Sequence, residues 1–275
     1  MNTLASGPLH KMAADLGQPI GYRLRVGEVA LPLNAYLGQP VALRYLGQIT
    51  CCHCGRVTKK SFDQGYCYPC FKRLARCDSC IVSPEKCHYF AGTCREPEWA
   101  ESHCMQDHFV YLANSSGVKV GITRGTQIPT RWIDQGATQA MPVMRVKTRQ
   151  QAGFAEVIIK RHVADRTHWQ RMLKREAEPC DLGQIWSELR QRCAAELAQL
   201  QQDFGLHAIA LLDEQPVVEL SFPVLAYPDK VVALNFDKQA MVAGKLQGIK
   251  GQYLMLDTGV INIRKFTSYH VDFLA

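Results

Sequence analysis

Ten of the twelve cysteines lie between Cys51 and Cys104, and that density restricts the fold more than any other feature of the 275-residue chain. Ordinary core packing does not crowd thiols into about fifty residues, so the cluster needs a chemical reason. The N-terminal stretch MNTLASGPLHKMAADLGQPI has neither a compact apolar core nor a basic lead, so no secretory leader is read there and a cytoplasmic protein is expected. Thiols stay reduced in that compartment, which leaves metal binding as their natural use. Cys180 and Cys193 fall outside the cluster and read as small apolar residues. No apolar run reaches the ~18 residues of a membrane span, so no membrane partner is expected.

Cys51-x2-Cys54 and Cys67-x2-Cys70 are two knuckles separated by twelve residues beginning with Gly55. Each knuckle lets two thiolates reach one tetrahedral ion from a single turn, and glycine relieves the backbone where it folds under the metal. Together they make a four-thiolate zinc site, with Cys52 out of register. Cys77-x2-Cys80 is a third knuckle, followed by Cys87, Cys94 and Cys104. These predict a second zinc, with Cys77 and Cys80 as first ligands and the other two drawn from Cys87, Cys94 and Cys104, while His88 and His108 are alternative donors. All-cysteine sites are closed, so both ions are expected to be structural.

Downstream of the cysteines, Phe109 to Ala113 and Val118 to Ile122 are apolar runs flanking Asn114-Ser115-Ser116-Gly117, the pattern of a β-hairpin. The formal charge of +7 is concentrated beyond it. From Lys119 to Arg175 twelve Lys and Arg face Asp134, Glu156 and Asp165 alone, a surplus larger than that of the whole chain. A surface facing a polyanion belongs there. Glu156 falls on a predicted helix from Gln150 to Val163, beside the apolar line Ala152, Ala155, Ile159 and Val163, so its carboxylate borders the buried face and needs a partner.

The two ends of the chain read as strands. Residues 20–50 suggest two or three, broken by Pro32, Gly38 and Pro40. Val217 to Leu220, Val231 to Leu234, Met241 to Ala243, Tyr253 to Leu256 and Val260 to Ile263 suggest five more. Neither end can cover both faces of a sheet by itself, so the two are expected to combine into one small barrel or sandwich. One long helix is predicted between Asp181 and Gly205, with Ile185, Leu189, Cys193, Leu197 and Leu200 as its apolar stripe.

Val110-Tyr111-Leu112, a polar turn, Lys119-Val120-Gly121, then Arg131 and a helix carrying Glu156 resemble the GIY-YIG nuclease superfamily over residues 108–165. The resemblance implies a small antiparallel sheet flanked by helices. It also implies a catalytic set of four: Tyr111 from the first half of the motif, Lys119 from the second half supplying charge, Arg131 against the scissile phosphate, and Glu156 holding Mg²⁺ or Mn²⁺. Gly121 matches the glycine of the second half, Lys119 stands where a second tyrosine is usual, and Gln135 falls where some members carry histidine. The segments CHYFAGTCREPEW, HFVYLA, VKVGITR and TRWIDQGA also resemble a bacterial family of uncharacterised zinc-cluster proteins, which implies no activity.

The expected layout is therefore α+β. An N-terminal β segment covers 1–50, a double zinc-binding module 51–107, a GIY-YIG-like domain 108–178, a helix 179–205, and a C-terminal β segment 206–275 packed with 1–50. The expected function is a zinc protein that binds DNA or RNA and carries a divalent-metal-dependent phosphodiesterase site. The alternatives are a non-catalytic nucleic-acid reader with a degenerate nuclease core, and a zinc-stabilised protein-interaction module. A tyrosine serves as base only if its pKa, ordinarily ~10, is lowered, which Lys119 and Arg131 are expected to do.

Overall fold

Side chains of the first hairpin strand point alternately to two different cores. Val110 and Leu112 face one, Tyr111 and Ala113 the other, and all four are fully buried. A strand with no solvent face reads as a continuous apolar run, as this one does.

The computed structural model describes residues 1–275. The chain opens with β1 (Thr3–Pro8), β2 (Ala13–Asp15), β3 (Gly21–Val26), β4 (Val29–Pro32) and β5 (Pro40–Ile49). The cysteine segment carries two short helices, α1 (Tyr68–Arg73) and α2 (Pro97–His103). Next come β6 (His108–Asn114), β7 (Val118–Arg124), α3 (Thr130–Asp134), β8 (Gln139–Val146), α4 (Arg149–Ile159) and α5 (Trp169–Met172). Helices α6 (Leu182–Arg192) and α7 (Ala194–Phe204) lead to β9 (Ile209–Leu211) and β10 (Val218–Glu219). The chain closes with β11 (Met241–Lys250), β12 (Tyr253–Leu256), β13 (Gly259–Asn262) and β14 (Tyr269–Leu274).

The central sheet runs β10-β8-β6-β7, with β9 paired to β8, and all its pairings are antiparallel. One face packs against α4, α6 and α7 through Ala152, Ala155, Ile159, Leu189 and Leu197. The other face joins Trp132 and Ile133 of α3 to a core built by both ends of the chain, including Tyr22, Leu43 and Phe273.

Those ends share a six-stranded sheet in the order β1-β14-β5-β11-β12-β13, so the last strand lies between two of the first five. With the three-stranded β2-β3-β4 sheet they form the β-rich module expected from the sequence. Its membership differs in detail. Val218 and Glu219 pair instead with Ala140 and Gln139 of the central sheet. Val231 to Leu234 forms no strand and makes one isolated bridge, Ala233 to Val260. The module also repeats a local unit, strand, tight turn, strand, 3-10 turn, strand, once in β3-β4-β5 and again in β12-β13-β14. The two 3-10 turns, Leu33–Tyr36 and Ile263–Phe266, are each followed by a residue at φ +76, Gly38 in one and Ser268 in the other. Because the second copy uses serine where left-handed geometry favours glycine, the repeat is hard to see in the sequence.

The expected long helix is two. Asp181 caps α6 by accepting from the Gln184 amide at 2.9 Å, and Gly205 at φ +88 ends α7. Between them the backbone of Cys193, at φ −97 and ψ 8, leaves helical geometry and divides the pair.

Candidate metal centre and basic groove

The sequence CCHCG turns back on itself directly after β5. The Gly55 amide donates to the Cys51 carbonyl at 2.9 Å and Gly55 adopts φ +70, the conformation for which glycine is suited. The second knuckle enters α1, with Cys67 just before it and Cys70 in its first turn. The sulfur atoms of Cys51, Cys54, Cys67 and Cys70 all lie within 4.8 Å of one another. Cys54 Sγ and Cys67 Sγ are 3.7 Å apart, close to the ~3.8 Å edge of a tetrahedron with Zn–S bonds of ~2.3 Å. Burial opposes the Cys51 thiolate, but backbone N–H groups of Cys54, Cys67 and His53 outweigh it and bring its pKa down to about 6. Burial and the neighbouring thiols push Cys70 the other way, up to about 12, but four converging soft ligands could hold a structural metal such as zinc.

The remaining cysteines divide. Cys77 packs with Cys51, Cys67, Cys70 and Leu74 in one small buried cluster, and burial together with Asp63 pushes its thiol up to about 12. Cys80 is pushed up to about 11 by burial and by its neighbours Asp78, Cys87, Cys104 and Cys94. Cys87, Cys94 and Cys104 lie near enough to Cys80 for their charges to act on it, but the donors that come within 4.8 Å of one another there are Asp78, Cys80 and His88, while Cys77 packs beside the first site. His88 is held close to Cys80 by Asp78, whose carboxylate lies 3.4 Å from His88 Nε2 and 2.7 Å from Arg95 Nε. His108 lies fully buried at the start of β6 with Nδ1 2.7 Å from the Gln106 carbonyl. Burial lowers its pKa to about 4.

The second cysteine group is fastened to α4. Arg149 Nη2 donates to the Ile81 carbonyl at 2.7 Å, and Gln150 Nε2 donates to the Cys87 carbonyl at 2.8 Å. Gly153 lets the 84–86 turn sit directly on the helix, since a Cβ there would stand 2.5 Å from the Glu85 amide nitrogen. A capping box between Thr148 and Gln151 fixes where α4 begins, and two turns later comes Glu156.

Beside that helix lies a cavity of about 480 Å³. Lys119 and Gly121 of β7, Arg131 of α3 and Glu156 of α4 all line it, as do Arg149, Asp165 and Arg264. Three residues of the expected catalytic set therefore meet in one groove. The fourth, Tyr111, lies beneath the floor. Its side chain is 0% exposed, crosses Gly121 in the paired strand, and donates from Oη to Gln135 Oε1 at 2.8 Å, and Gln135 does line the groove.

The expectation that cations lower the Tyr111 pKa fails here. Burial raises it, outweighing the opposing effect of Arg131, so the phenol stays protonated. Lys119 behaves in the converse way: burial and then Arg131 bring its pKa down to about 8, despite Glu156 and Asp165. Burial and the nearby Asp165 raise that of Glu156. Ion pairs in the groove wall join Lys11 to Asp134 and Arg166 to Asp165. Lys119, Arg131 and Glu156 belong to none.

Residues 38–271 match the model of a family described as a protein of unknown function (DUF2797). The chain belongs to that family. No curated protein and no solved structure matches it. The family match takes in the metal centre, the central sheet and every groove residue but Lys11, and its description carries no chemistry. No helix is long and apolar enough to cross a membrane.

Sequence reasoning missed Arg264, Gln64 and Lys11. They come from the terminal β module and the cysteine segment, far from the hairpin in sequence, and no motif links them to it.

Proposed function

We propose that this protein binds nucleic acid in the basic groove and cleaves a phosphodiester bond there, using a divalent cation held at Glu156. One observation carries the reading. Two cations and one carboxylate, brought from three separate elements, share a cavity and none has an ion-pair partner within it. A half-buried carboxylate without a partner is costly, so its place suits a ligand that supplies positive charge. Asp165 beside it makes the donor set more anionic and fits a hard cation such as Mg²⁺ or Mn²⁺. When bound, such an ion polarises the phosphoryl oxygens.

The chain's own residues do the rest. Arg131 neutralises charge developing on the phosphate. Lys119, with its pKa near 8, exists partly as the neutral amine near neutral pH and can take a proton from an attacking water. Tyr111 acts through Gln135, holding the amide at the groove surface by the hydrogen bond from its phenol. The cysteine segment supports α4 through residues 81–87, with one zinc at Cys51, Cys54, Cys67 and Cys70 and a second held by Cys80 with Cys87, Cys94 and Cys104.

The test uses purified protein with Mg²⁺ or Mn²⁺ and labelled single-stranded, structured and branched RNA and DNA. Cleavage abolished by Glu156→Ala supports the proposal. A second reading, a nucleic-acid reader without catalysis, is favoured by one feature, the protonated phenol of Tyr111 closed off beneath Gly121. Binding with a steep salt dependence but no cleavage with either metal would select it. Absence of binding at low salt would defeat both.

A further inference from the structure

The groove does not end at Arg264. A second cleft of about 620 Å³ adjoins it, and Asp63, Gln64 and Arg264 line both. The new wall adds Lys59, Lys60 and Lys265, all three exposed. Lys60 is steadied over the ring of Phe62 at 5.3 Å and Lys265 over that of Phe266 at 5.1 Å. Arg264 is held at the junction by a hydrogen bond from its Nε to Gln64 Oε1. The cleft's acids are partly engaged: Asp237 accepts from Tyr269 Oη at 3.0 Å.

We propose that the cleft is an extended binding site for the phosphate backbone of the same nucleic-acid strand, which continues from the groove past Arg264 and lies along Lys59, Lys60 and Lys265. The inference rests on the proposed function and adds its substrate class, a flexible single strand long enough to reach both cavities. A phosphate chain repeats negative charge at short intervals, so cations spaced along two adjoining clefts suit it better than they suit a small anion, for which one cavity suffices. A single strand can follow a path from one cleft into the next, whereas duplex DNA is stiff over ~150 base pairs. The site is assembled from parts distant in sequence, the loop between the two zinc knuckles and the 3-10 turn before β14, and neither shows it alone.

The test measures binding of labelled oligothymidylates of ~4 and ~16 nucleotides to the full zinc-loaded chain over a series of salt concentrations. The variant Lys59→Gln/Lys60→Gln/Lys265→Gln changes only exposed side chains, and unchanged zinc content and thermal unfolding would show that it is folded. For the longer strand, log Kd plotted against log salt should lose a slope of ~2, since each lost phosphate contact on a single strand removes ~0.7. The shorter strand should bind as it does to the unaltered protein. Arg264→Gln, at the junction, should weaken both. If the triple variant binds the longer strand with an unchanged slope, or weakens both strands equally, the extended site is wrong while the proposed function stands. If the unaltered protein binds neither strand, nor oligouridylates of the same lengths, the proposed function falls and the extended site falls with it.

Discussion

The Tyr111 phenol lies across Gly121, its partner in the opposite strand, so closely that a Cβ on Gly121 would stand 2.6 Å from Oη and 2.7 Å from Cζ. The glycine is therefore a space that the tyrosine fills, and the tyrosine is what presents Gln135 to the groove. Gly121→Ala should force the ring aside and destabilise the protein by ~1–3 kcal/mol, the cost of overpacking a well-packed core. Thermal unfolding of Gly121→Ala, Tyr111→Leu and the double variant checks this. The two changes should be strongly non-additive, because removing the ring makes room for the methyl. Additive losses would separate the two residues.

The metal centre should govern order in the cysteine segment. Cys70→Ser should remove about one zinc per chain and expose residues 51–77 to proteolysis, because a structural zinc site contributes folding free energy directly. Metal analysis of fresh protein and of the variant checks it, and near-zero zinc in the unaltered protein would overturn the site. Cys77→Ser should leave the zinc content unchanged, since Cys77 packs beside the first four sulfurs as a small buried residue.

The contact between the cysteine segment and α4 should be sensitive at one point. Gly153→Ala places a methyl 2.5 Å from the Glu85 amide nitrogen, and backbone cannot yield there as a flexible side chain would. The expected result is a loss of ~1–3 kcal/mol together with faster cleavage of residues 81–96 by protease. Any activity that depends on Glu156 should fall in parallel, because the turn at 84–86 braces that helix.

Affinity for a polyanion should depend on pH through Lys119. Its folded pKa, near 8, lies below the ordinary lysine value, so the side chain is charged below about 8 and neutral above. Oligonucleotide binding should therefore weaken by roughly tenfold between about pH 7 and pH 9, the loss expected for one charged hydrogen bond to phosphate. Lys119→Arg should abolish the pH dependence and retain binding at the higher pH. If it keeps the same pH dependence, the titrating group lies elsewhere.

Features that depend on neighbours along the chain are legible in the order of its residues. The spacing of Cys51, Cys54, Cys67 and Cys70 specifies a four-sulfur site because each knuckle is one tight turn. The apolar runs on either side of Asn114 to Gly117 specify the hairpin, and Thr148, Gln151, Asp181 and Gly205 mark helix ends through local hydrogen bonds and backbone conformation. The convergence of Lys119, Arg131 and Glu156 could be anticipated from the motif. What surrounds them depends on long-range packing. Burial depends on which element covers a residue, and the terminal module covers Tyr111, so its pKa rises where the local sequence suggested that it would fall. Cys77 and Cys80, three residues apart, are separated by packing: Cys77 joins the sulfurs of the first site around Leu74, whereas Cys80 lies with Asp78 and His88. The groove gains Arg264 because a sheet pairs strands without regard to their separation in the chain, and β14 lies between β1 and β5.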